Sequence, residues 1–156
     1  QLAIAIENQY MLKQMGLENS RDCLGYRVII KNIERLADHA VRISKDVLDY
    51  KTPIGGKIFV KIKAMSDFAL STIQSATDAL FQKDYQQAER AIKDTIEIHK
   101  KEEEVFDILE TNKNKLESYR IRRIVENVRR IAEYASDIGE IVLNMNIEKV
   151  IKKPKI

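Results

Sequence analysis

Tryptophan is absent from this 156-residue chain, and proline (two), glycine (five) and cysteine (one) are scarce. A lone thiol, Cys23, rules out a disulfide framework and suits a reducing compartment such as the cytosol, where it reads as a packed side chain. Few Gly and Pro beside abundant Lys, Glu, Ile, Ala, Leu and Arg make the material of long helices rather than sheets. Long apolar runs are missing too. None approaches the roughly 18 residues of a membrane span, and no signal peptide is visible, so the expected protein is cytoplasmic and not an integral membrane protein. Nor does one sign of charge dominate: 27 basic residues interleave with 24 acidic ones for a net +3, which leaves no strong nucleic-acid footprint.

What is present is 44% hydrophobic residues, enough for a real core in one compact domain or two small bundles. Breaks fall at 16–20, at the TPIGG stretch ending in Gly56, at 82–85 and at 112–114. They predict five helical stretches near 1–15, 20–50, 57–82, 84–111 and 115–147. Asp84 stands three residues before Gln87, and Asn114 three before Glu117, the spacing at which a side chain caps the orphan amides of a helix start. Asn19 or Ser20 is placed to cap the second stretch. The last three helices, about 40 to 48 Å long and joined by short turns, must pack as antiparallel neighbours. The expected fold is therefore all-α, with a complete three-helix bundle over 57–150 and a partial unit over 1–52.

Two segments repeat. Glu34 and Asp38 in NIERLADHAVRI, and Glu133 and Asp137 in RRIAEYASDIGEIV, lie 99 positions apart in each case, which marks an internal repeat of one helical unit. Carried back from Lys57, the same offset puts the matching helix of the first copy before Gln1, and the chain does not open on Met. The reading is a fragment of a longer protein, with the first bundle lacking its first helix; a swapped or dimer-supplied helix is the other way to complete it.

Residues four apart on a helix stand one above the other, so each acid pair is a potential bidentate oxygen site for a cation. Winding the motifs puts Glu34 and Asp38 beside Arg27, Lys31 and Lys45, next to an apolar face of Ile29, Ile30, Ile33, Ala37, Ala40, Val41 and Val47. Glu133 and Asp137 share a stripe with Arg122, Glu126, Arg129 and Glu140, while Ile124, Val128, Ile131, Ala135, Ile138 and Val142 face the core. The competing reading is a solvated surface laced by ordinary ion pairs such as Arg129 with Glu133. His99 and Glu102 lie within the apolar stripe of their helix, among Ala88, Ala91, Thr95, Phe106 and Leu109, and inward-facing polar groups require a charge, a hydrogen bond or a metal. His39 projects to the side and is the weaker candidate.

Glu34-Arg35-x-x-Asp38-His39-Ala40-Val41-x-Ile43 and Glu133-Tyr134-x-x-Asp137-Ile138-Gly139-Glu140 resemble the paired ExxxD signatures of the PhoU family of phosphate-uptake regulators, especially its archaeal members. The first is close to the family pattern; the second lacks its Arg and His. The resemblance implies PhoU-like tandem three-helix bundles related by a pseudo-two-fold, no catalytic activity, and in some members iron or zinc on the acidic motifs. The candidate metal residues are then Glu34, Asp38, His99, Glu102, Glu133 and Asp137, the first pair serving only when the first bundle is whole. Oxygen-rich sites with one imidazole suit iron, zinc, manganese or magnesium alike. Further implications are a negative regulator of phosphate transport and signalling, partners in a phosphate ABC transporter or a sensor kinase, a homodimer, and an upstream DNA-binding domain in a full-length protein. Two other classes compete. A di-iron oxidase calls for Glu-x-x-His on two helices, and the chain has none, since Leu36 precedes His39 and Ile96 precedes His99. A structural or nucleic-acid-associated bundle draws on Arg120, Arg122, Arg123, Arg129 and Arg130, but Glu117, Glu126 and Glu133 interleave with these and favour an ion-pair network or a docking face.

Overall fold

Four long helices account for nearly all of the chain that the computed structural model describes, residues 13–14, 16–17, 20–50 and 53–151: α1 (Ser20–Leu48), α2 (Gly56–Gln82), α3 (Tyr85–Glu110) and α4 (Lys115–Ile151). No strand occurs among the described residues. The helical stretch expected near 1–15 lies outside them except at 13–14, which are helical, and the expected cap Asn19 lies outside them altogether.

Local chemistry sets the helix ends. Asp84 caps α3 by accepting from the Gln86 and Gln87 amides at 2.9 and 3.3 Å, and Asn114 caps α4 by accepting from the Glu117 amide at 3.1 Å. Between α1 and α2, Pro53 withholds the amide a helix interior requires, and Gly56 takes a positive φ of 64° that a side chain would resist. The α2–α3 turn is closed by Lys83, itself left-handed at φ 57°.

Contacts run α2–α3, α3–α4 and α2–α4, so these three helices form a mutual bundle, while α1 lies along α4. Lys61 meets Glu104, and Thr72 donates to Asp94 at 2.9 Å, fixing α3 antiparallel to α2. Thr95 donates to Ser136 at 2.8 Å near one end of α3, and Arg122 lies 4.2 Å over Phe106 towards the other. Two core clusters result. One joins Met65, Ile98, Val105, Leu109, Ile121 and Val125. The other, near the α2–α3 turn, is built of small residues, Ala76, Ala79, Ala88, Ala91 and Ala135 with Ile138 and Val142, and α1 reaches it through Ile29. There α3 and α4 approach so closely that a Cβ on Gly139 would stand 3.0 Å from the Ala88 carbonyl oxygen and 3.3 Å from the Ala91 Cβ.

The apolar face of α1 is left largely uncovered by the described residues. Of the anticipated apolar face only Ile29 is buried; Ile30, Ile33, Ala37, Ala40, Val41 and Val47 are exposed. Cys23, Ile29 and Asn32 are buried instead, with Tyr26, Leu36, His39, Ile43 and Asp46 partly so. Polar pairs run along the α1–α4 seam instead: His39 Nδ1 lies 2.6 Å from Asn127 Oδ1, Arg123 pairs with Asp46 at 2.7 Å, and the Tyr50 hydroxyl donates to Glu117 at 2.9 Å. Buried polar groups without partners cost kilocalories, and these pairs satisfy the seam except at Asp46 Oδ2, which is buried without a hydrogen-bond partner. Of the exposed apolar residues, Ile33, Ala37 and Ala40 border an open groove of about 610 Å³ between α1 and α2, floored by Val128, Ile131 and Ala135 of α4.

Candidate functional site

Glu102 stands on the inner face of α3, and Arg129 and Glu133 one turn apart on α4. The Arg129 Nε donates to Glu102 Oε1 at 2.9 Å, and its Nη1 bonds Glu133 Oε1. Glu133 Oε2 also accepts from Arg130 at 3.1 Å, and His99 Nε2 lies 3.2 Å from Glu133 Oε1. The side chains of Arg129, Glu102 and Glu133 are only 15%, 12% and 19% exposed, whereas His99 at 47% sits on the rim. Burial works against the Arg129 charge, but the hydrogen bond and charge of Glu102, with those of Glu133, overcome it and raise its pKa above the ordinary value. The result is a largely buried triad of two carboxylates on one guanidinium.

Asp137 and Glu140 continue the stripe from Glu133 into a smaller cleft with Thr95 and Tyr134. Desolvation raises the Asp137 pKa, and the charges of Glu140 and Glu133 raise it further, while Arg35 of α1 lowers it in part. Arg35 also lies 5.5 Å over the Tyr134 ring, against which His39 packs at 5.6 Å. In the first motif Glu34 bonds Lys31 at 2.8 Å, a hydrogen bond and charge that lower its pKa, and Asp38 is exposed. No hydrogen bond or ion pair joins the two motifs among the described residues.

The structure thus brings together His99, Glu102 and Glu133 and sets Asp137 beside them, while Glu34 and Asp38 stay apart on α1. As arranged, these residues do not fit a metal ion. Both carboxylates nearest His99 are held by Arg129, and among the described residues no three His, Cys, Asp or Glu side chains converge as a ligand set. The sequence pairing of Arg129 with Glu133 is present, but its extension to Glu102 is not visible in the spacing. The signal that points to it is Glu102 itself, a carboxylate within an apolar stripe.

In comparison with known proteins, the PhoU domain model matches residues 62–142, just over half of the chain, from α2 through most of α4 and including Glu102, Arg129, Glu133 and Asp137. No curated protein and no solved structure matches the chain. No described helix is long and apolar enough to cross a membrane. With its all-helical architecture and this match, the chain belongs to the PhoU domain family.

Proposed function

We propose that the protein is a non-enzymatic negative regulator of phosphate transport and phosphate signalling that works by docking to another protein, and that no resident metal at Glu102 and Glu133 is needed for it. Membership of a family of phosphate-homeostasis regulators supports the regulatory part. The observation that carries the docking part is the apolar groove between α1 and α2, with Ile33 on one wall and Leu70 and Phe81 on the other, all three exposed. Contiguous exposed apolar surface of this kind marks interaction sites. A phosphate ABC transporter and a sensor kinase are the expected partners. Deleting the gene in its own host is expected to raise phosphate uptake under phosphate-replete conditions. A copy carrying Leu70→Glu and Phe81→Glu, folded by circular dichroism, should fail to restore repression. Unchanged uptake in the deletion strain contradicts the regulatory reading, and full restoration by the double variant contradicts the groove as the docking face.

A further inference from the structure

A second cleft, of about 500 Å³, opens at the α1–α4 seam and has different chemistry from the apolar groove. Four of its seven lining residues are arginines: Arg42 from α1, and Arg123, Arg129 and Arg130 from α4; His39 and Asn127 lie between, and Glu126 is the one acid on the wall. Helical spacing builds it. Positions 123, 127 and 130 fall on one face of α4, and 39 and 42 on one face of α1, so the antiparallel seam sets arginines from two helices around one space.

Most of these guanidiniums retain unused donors. Each has five N–H groups in a planar fork. Arg123 spends one nitrogen on Asp46, and Arg130 one on Glu133, and both side chains are 51% exposed. Arg42 has no hydrogen-bond or ion-pair partner among the described residues. Asp46, Glu102 and Glu133 pair with Arg123, Arg129 and Arg130, so the fold keeps these guanidiniums beside one another where their mutual repulsion would otherwise spread them. A carboxylate ligand fills a single fork. A phosphate group offers several oxygens and more than one charge, and so can engage guanidiniums from both helices at once. The volume lies in the range of small-molecule sites and exceeds what one phosphate group occupies.

We propose that this cleft binds a small phosphate-bearing anion, with Arg42 and Arg123 as the principal ligands and Arg130 joining them. The site stands whether or not the chain regulates phosphate uptake, because it rests on the arginine arrangement alone. Isothermal titration of the whole chain with inorganic pyrophosphate and, separately, inorganic phosphate tests it, in magnesium-free buffer at fixed ionic strength. Saturable binding is expected, weakened about ten-fold or more by Arg42→Ala and more still by Arg42→Glu. Arg42 makes no ion pair, so neither change should disturb folding, and Arg42→Lys should retain part of the affinity. Tighter binding of pyrophosphate identifies a ligand with two or more phosphate groups; equal binding of phosphate identifies a single-group ligand in the same cleft. No saturable binding of either anion overturns the proposal, as does binding that Arg42→Ala and Arg123→Ala both leave unchanged.

Discussion

Arg129 carries more electrostatic load than any other side chain described, because it holds two largely buried carboxylates from two helices. Its removal leaves Glu102 inside the bundle with only the His99 imidazole beside it, Nδ1 at 3.9 Å, whereas removing Arg130 takes away only a half-exposed arm from Glu133. Arg129→Ala should therefore cost about 2–3 kcal/mol in urea denaturation, and Arg130→Ala less than about 1 kcal/mol. Similar losses for the two variants would show that the triad is not a structural unit. Asp137 gives a pH signature of opposite sign to the usual carboxylate. Its folded pKa is raised, so the folded state holds the proton more firmly; the associated stability is present at low pH and is lost as pH rises from the ordinary aspartate range through the raised value. Asp137→Asn should raise the melting temperature at pH 7 relative to the parent, and the gain should vanish below the ordinary aspartate pKa. A gain that persists at low pH would assign it to something other than the charge.

At the scale of the elements, the approach of α3 to α4 depends on Gly139. Alanine there gains about 1 kcal/mol of helix propensity but presses a methyl group against the Ala88 carbonyl and Ala91, and overpacking of this sort costs about 1–3 kcal/mol. Because the nearest contact is backbone rather than a flexible side chain, the net effect of Gly139→Ala is expected to be a loss of about 1 kcal/mol by thermal or chemical denaturation; a gain would mean that the helices part freely. Helix limits were legible in the sequence because their causes are local: Pro53 and Gly56 between α1 and α2, Asp84 and Asn114 at the caps. The core face of α4 was legible as well, since Val128, Ala135, Ile138 and Val142 form a single apolar stripe and all are buried. The orientation of α1 was not. Its apolar residues lie mainly on one side, but only the edge of that side packs against α4, where Asn127 and Arg123, some 80 residues away in sequence, meet His39 and Asp46, and Ile33, Ala37 and Ala40 are left to border the groove. The same non-locality hid the candidate site: spacing on α4 reveals Arg129 beside Glu133, but only packing brings Glu102 to the guanidinium.

For the whole molecule, the three mutually packed helices and the PhoU domain match coincide, and α1 adds a seam along α4 whose two sides differ in character. One side is an apolar groove suited to a protein partner, the other an arginine cleft suited to an anion. Of the repeated acids, Glu34 pairs with Lys31 and Glu133 with Arg129, Arg130 and His99, and Glu102 on the facing helix pairs with Arg129. The regulator proposed above would work by contact and would not depend on a metal held at those acids. Elemental analysis of tag-free protein, purified under reducing conditions without chelator, measures this directly. The expected result is no stoichiometric iron, zinc or manganese; one or more ions per chain, lost on Glu133→Gln with Asp137→Asn while helical content is kept, would contradict it.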